Sequence, residues 1–191
     1  MNVQQAIDYA LDQLDKKSDP RMFYHNPAHT RGVMRDAVEL ARQCGAENYL
    51  DFIRVAAAYH DLGFIKTNVD HERASCDLAA ETLPRFGFDF KMIDRIQAMI
   101  MATKLPQSPV NLEQMVVCDA DLAYLGGNQY TEIANQLYRE QIALGKFNEN
   151  TDWKQIQVNF LESHHFHTEY AKKMFGPGKN RNLEALRNTI S

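Results

Sequence analysis

Apolar residues recur along this chain at helical spacing, three or four positions apart, in one segment after another. Val3, Ala6, Ile7, Ala10, Leu11 and Leu14 predict an amphipathic helix over 3–15, broken by Ser18-Asp19-Pro20. Asn26-Pro27 reads as an N-cap followed by proline at the first helical position. A helix is expected from there to about Cys44, with Val33, Ala37, Leu40 and Ala41 as its stripe and Gly45 ending it. Phe52 to Tyr59 is apolar around most of its circumference and predicts a buried helix over about 47–61. Further helices are expected over about 71–83, carrying Ala74, Leu78 and Leu83, and after Asp89, burying Ile93, Ile96, Met99 and Ile100. Leu112 to Leu125 reads as another, apolar nearly all round except for Asp119 and Asp121. Two long helices over about 130–144 and 152–174 follow, and Gly176-Pro177-Gly178 is expected to precede a short terminal helix. No segment alternates with the period of a strand, and no internal repeat is present. The expectation is an all-α fold in one domain over 1–191, its motif core at about 20–128 and its C-terminal helices, about 130–190, packing on that core.

Composition narrows the function classes. A chain of 191 residues with 45% apolar content can bury a sizeable core. A net charge of -4 supplies no basic field, which argues against nonspecific nucleic-acid binding. Cys44, Cys76 and Cys118 are odd in number and widely spaced, as expected of reduced thiols rather than a disulfide or zinc-thiolate framework. No run approaches the roughly 20 apolar residues of a membrane span, and the N-terminus lacks a signal-peptide pattern. A soluble cytosolic protein is expected.

The chemistry lies in polar residues that interrupt apolar helices. His29 falls at a helix start, His60-Asp61 at a helix end, and Asp119 or Asp121 in a third helix. Each alone reads as a cap or a core polar group. A buried imidazole beside a buried carboxylate needs a partner, however, and a cation serves both. Two imidazoles with carboxylates suit a divalent transition ion (Mn, Fe, Co, Ni or Zn), whereas calcium needs only oxygen ligands. Asp119 and Asp121 lie about 200° apart around a helix, so only one of them can face a given ion.

Three segments carry a family resemblance: Tyr24-His25-Asn26-Pro27-Ala28-His29-Thr30, Ala57-Ala58-Tyr59-His60-Asp61-Leu62-Gly63, and Cys118-Asp119-Ala120-Asp121-Leu122. In this order they resemble the HD superfamily of metal-dependent phosphohydrolases, and most of all its uncharacterised bacterial branch. The resemblance covers roughly residues 20–128. It implies an all-helical fold in which His29, His60, Asp61 and a final Asp hold the metal. The family's last ligand stands in an Ala-Asp-x-Leu context, which Ala120-Asp121-Leu122 approximates, so Asp121 is the expected ligand. Asp119 is then an outer acceptor or an inter-helix cap.

Around this ion, His71-Glu72 opens the next helix. Glu72 reads either as a helix-start acid favoured by the dipole or as the base that serves a water beside Asp61. His71 reads as a phosphate or second-metal contact. The stretch after Met101-Ala102-Thr103-Lys104 lacks the paired histidines of two-metal relatives, so one ion per chain is expected. Lys66, Lys104 and Arg31 are candidate phosphate contacts or plain surface charges. His164-His165-Phe166-His167, taken as helical, puts only His164 and His167 on one face and reads as surface or packing. No phosphate-binding glycine loop, dinucleotide fingerprint or nucleophile elbow is present. The resemblance implies hydrolysis of a phosphate ester of a small metabolite, plausibly a nucleotide. A nucleotide-sensing HD module without turnover and an HD-fold di-iron oxygenase are the alternatives.

Overall fold

Six helices begin at a side chain that caps them. Asn2, Asn26, Asp89, Asn111, Asp152 and Thr168 each accept a hydrogen bond from a backbone N–H two or three residues on. In the computed structural model, which describes residues 1–189, all the regular structure among those residues is helical. The α-helices are α1 (Val3–Lys17), α2 (Pro27–Gln43), α3 (Leu50–Tyr59), α4 (His71–Thr82), α5 (Phe90–Ala102), α6 (Leu112–Asp121), α7 (Tyr130–Ala143), α8 (Trp153–Ser163) and α9 (Glu169–Arg187). Short 3-10 turns join several of them, at Glu47–Tyr49, Leu62–Ile65, Leu83–Phe86 and Ala123–Gly126. The last two positions of the expected 1–191 domain lie outside the described residues.

The α3 helix is the centre of the core. Ile53, Val55, Ala56, Ala57, Ala58 and Tyr59 are all buried, and α1, α2, α5 and α6 pack around it. A helix apolar on every face needs such a sheath, because each exposed face would leave apolar surface in water. It ends at Tyr59, so His60 and Asp61 stand in the turn beyond it rather than inside a helix reaching 61. Leu112 to Leu125 likewise divides, into α6 ending at Asp121 and a 3-10 turn from Ala123. The α3 helix stops just before its polar pair, and α6 stops on Asp121.

The C-terminal third departs from the expected pattern. Positions 152–174 are not one helix; the chain breaks at 164–168. The fully buried Asp119 carboxylate causes the break by accepting from His167 N (2.7 Å), Thr168 N (2.8 Å) and Thr168 Oγ1 (2.7 Å). Thr168 in turn caps α9. Gly176-Pro177-Gly178, expected to break the chain, instead lies within α9. The reason is close packing: a Cβ on Gly178 would stand 2.0 Å from Gly126 O, so only glycine lets α9 reach the turn at 123–126. Cys44, Cys76 and Cys118 are free thiols, and no described helix is long and apolar enough to cross a membrane.

Candidate metal centre

Three helix ends deliver the donors. Asn26 Oδ1 accepts from Ala28 N and His29 N, which fixes the first turn of α2 and sets His29 in it. The turn after α3 carries His60 and Asp61, and Asp121 is the last residue of α6. Two carboxylates thus stand at the C-terminal, negative ends of two helices, where the dipole opposes them unless a cation is near.

Ser75 and Gly63 hold the central turn. Ser75 Oγ donates to His60 O and accepts from Gly63 N, both at 2.7 Å. A Cβ on Gly63 would lie 2.0 Å from His71 O, so its absence lets the first turn of α4 abut the His60-Asp61 turn. His60 Nδ1 pairs with Ala57 O at 2.8 Å, so Nδ1 donates and Nε2 is left as the donor atom for an ion.

The four side chains converge. His29 Nε2 lies 3.2 Å from Asp121 Oδ1 and 3.4 Å from Asp61 Oδ2. His60 Nε2 lies 3.2 Å from Asp61 Oδ2, 3.5 Å from Asp121 Oδ1 and 3.4 Å from His29 Nε2. Ligands about 2.1 Å from a common ion stand about 3.0 to 3.4 Å apart in octahedral or tetrahedral order. The donor atoms of His29, His60 and Asp121 all fall within 4.8 Å of one another. Asp61 Oδ2 is buried and has no hydrogen-bond partner, an acceptor left for something the protein does not supply. The donor set and this orphaned oxygen fit a divalent transition ion.

Electrostatics agree. Burial pushes the two imidazoles down, but Asp61 and Asp121 overcome it and hold His29 above and His60 well above the ordinary histidine value. Burial likewise works to raise the two carboxyls; the facing imidazoles win, holding Asp61 well below and Asp121 below the usual carboxylate range. This pocket of negative potential stabilises positive charge, whether protons on imidazole or a metal ion.

The centre opens on a cavity of about 330 Å³, whose wall includes Asp61, Asp121, His71, Glu72, His25 and Lys146. His71 Nε2 lies 3.3 Å from Asp61 Oδ1 and 3.5 Å from Glu72 Oε1. The structure therefore brings His29, His60, Asp61, Asp121, His71 and Glu72 together. It sets the basic candidates elsewhere. Lys66 lies 3.7 Å from Glu81, Lys104 pairs with Asp70, and Arg31 pairs with Asp15 at 2.7 Å; none of the three lines the cavity. In the 164–168 turn, His164 is buried, while His167 serves Asp119 through its backbone.

Two features escaped the sequence reading. Glu140, fully buried on α7, accepts from Tyr24 N (2.9 Å) and His25 N (3.0 Å) and pairs with His25 Nδ1. Burial works to raise its carboxyl, but these donors keep it below the ordinary glutamate value, hence ionised. Its signal was present: Tyr130, Ala134 and Glu140 share the buried stripe of α7, and an acid on such a stripe needs a partner. The other is Lys146, whose Nζ donates to Asn68 O at 3.0 Å at the cavity wall.

Residues 28–123, half of the chain, match the HD domain family and contain all four converging residues. The chain belongs to the HD domain family. Solved structures share the fold of this HD protein over nearly its whole length. A predicted HD superfamily hydrolase from an uncultured Thermotogales bacterium is 22% identical, with TM-score 0.63, covering 98% of this chain and 90% of its own. A Lactobacillus plantarum protein is 20% identical, with TM-score 0.72 and coverages of 98% and 94%. Bacillus subtilis YpgQ, solved in complex with ADP, is 20% identical, with TM-score 0.68 and coverages of 98% and 96%. No curated protein matches the chain. The outer 3-10 turn at 123–126 marks the C-terminal limit of the HD match, so α7, α8 and α9 lie beyond it.

Proposed function

We propose that this HD protein is a metal-dependent hydrolase of a phosphate ester, with a nucleotide or similar small phosphorylated metabolite as substrate. The observation that carries this reading is Asp61: one oxygen is orphaned among His29, His60 and Asp121, and the other faces His71 on the cavity side. Membership of the HD domain family and the ADP held by Bacillus subtilis YpgQ support it.

His29, His60, Asp61 and Asp121 would hold one divalent transition ion. Such an ion, when bound, lowers the pKa of water and polarises a phosphoryl oxygen. The remaining work falls to the chain's own groups. Glu72, buried at the cavity wall, takes the proton of the attacking water at its carboxylate. His71 contacts the phosphoryl group beside Asp61. His25, fixed through Nδ1 by the ionised Glu140, presents its other nitrogen as proton donor to the leaving oxygen. Lys146 adds the positive charge that Lys66 and Lys104, already paired with carboxylates, do not bring.

The test is turnover of nucleoside mono-, di- and triphosphates, cyclic nucleotides and an aryl phosphate with Mn, Co or Ni. Hydrolysis lost in His60→Ala and Asp61→Ala together with metal is the expected result. Tight nucleotide binding with no turnover contradicts the hydrolase and favours a sensor; two irons with O₂ consumption favour an oxygenase.

A further inference from the structure

The turn that carries Asp61 also carries an aromatic ring three residues on. Phe64 N donates to Asp61 O at 3.1 Å, so the ring is tied to the turn of the candidate metal centre. Phe64 stacks on His71, with ring centroids 3.8 Å apart and planes 17° apart. It also meets His25, at 4.5 Å and 33°. The two imidazoles are 6.1 Å from each other, farther than either is from Phe64. Phe64 is therefore the ring that both of them share, and all three rings line the cavity beside Asp61 and Glu72. Each imidazole has its polar tie on one nitrogen only: Glu140 holds His25 through Nδ1, and His71 Nε2 faces Asp61 and Glu72. A tie at one ring atom leaves the plane of the ring free to turn about it, and a turned ring aims its other nitrogen elsewhere. Contact with a neighbouring aromatic ring favours particular relative planes and removes that freedom. Phe64 itself has no polar side-chain atom to offer a phosphoryl group.

We propose that Phe64 is a positioning residue, which aims His71 and His25 together at one phosphoryl group beside Asp61. It acts through the two imidazoles and touches neither the ion nor the reacting atoms. The inference rests on the phosphate-ester reading of the cavity.

The experiment compares the parent protein with Phe64→Leu and Phe64→Tyr, each supplied with Mn. Phe64→Leu keeps an apolar side chain and removes the ring, whereas Phe64→Tyr keeps the ring. Inorganic phosphate is titrated into each by calorimetry, with metal content and melting temperature measured alongside. Phe64→Leu should keep its metal, because His29, His60, Asp61 and Asp121 are unchanged. It should bind phosphate about tenfold more weakly, roughly the worth of one hydrogen bond to a charged group. Phe64→Tyr should recover most of that affinity. Phe64→Leu should also slow hydrolysis of an alkyl phosphate more than that of 4-nitrophenyl phosphate, because the first alone needs the proton assigned to His25. Metal lost together with phosphate in Phe64→Leu would make the ring structural only and overturn the proposal. So would phosphate binding that is absent in the parent or equal in the parent and Phe64→Leu, or a loss that Phe64→Tyr does not restore. The expected order of phosphate binding, with no ester hydrolysed, supports the positioning role and counts against the hydrolase. Hydrolysis that Phe64→Leu leaves unchanged does the reverse, so the two readings fail separately.

Discussion

Asp119 and Asp121 stand two residues apart on α6 and serve opposite sides of it. Asp121 Oδ1 lies 3.2 Å from His29 Nε2, while the Asp119 carboxylate takes three hydrogen bonds from His167 and Thr168. One acid belongs to the candidate metal centre and the other holds α9 in place. Asp121→Ala should therefore lose metal and stay folded. Asp119→Ala should keep metal but lose on the order of 3 kcal/mol of stability, because two buried N–H groups lose their acceptor. Elemental analysis and denaturant melts of both variants check this; the reverse assignment of effects would move the ligand to Asp119.

Glu72 is tested by a change that preserves shape. Glu72→Gln should retain metal and fold, and lose about 10²–10⁴-fold in kcat, the usual contribution of a positioned general base. A variant as fast as the parent removes Glu72 from the mechanism and leaves the metal site intact.

The role proposed for His25 is at the leaving group, so the damage from changing it should depend on the ester. His25→Asn should slow hydrolysis of an alkyl phosphate about 10²–10³-fold and that of 4-nitrophenyl phosphate far less, since nitrophenolate leaves without a proton. Glu140→Gln should follow the same pattern more weakly, with metal content unchanged. Equal loss on both esters would make the pair structural only.

Acid stability reads out His164. Both its ring nitrogens are buried without a hydrogen-bond partner, between Phe160 and Phe166. Burial first, then the Lys179 charge and the neighbouring histidines, push it down to about 3. The unfolded chain takes up this proton near pH 6.5, about where an unperturbed histidine titrates, and the folded chain does not. Its contribution is whole above that pH and is lost as pH falls toward the folded value, at up to about 1.4 kcal/mol per pH unit. His164→Phe should flatten that slope in melts between pH 7 and pH 4. An unchanged slope would show that other groups set it.

These particulars explain what could be read from the chain. The helices from Val3 to Ala102 follow from local signals: caps, periodicity and a run of alanines no other element would bury so completely; the turn at His60-Asp61, expected as the end of a helix reaching 61, does not. The convergence of His29, His60, Asp61 and Asp121 is what the family resemblance implies; burial alone would not choose the last of them, because Asp119 is the more deeply buried acid. The break at 164–168 has no local signal, since Phe166, Tyr170 and Phe175 continue an apolar pattern and the cause, Asp119, is far away in sequence. Gly176-Pro177-Gly178 looks like a break because its reason for being glycine is contact with Gly126 on another element. Glu140 on the buried stripe of α7 signals that a partner exists, but that the partner is His25, 115 positions away, is visible only once the chain has folded.

Metal content tests the central claim most directly. Protein purified without a metal-affinity column should carry close to one divalent transition ion per chain by elemental analysis, and chelation should lower its melting temperature. His60→Ala, which removes a donor atom from the centre, should carry almost none. Well under half an equivalent in the parent, with a melting temperature indifferent to added Mn, Co, Ni or Zn, would contradict the account.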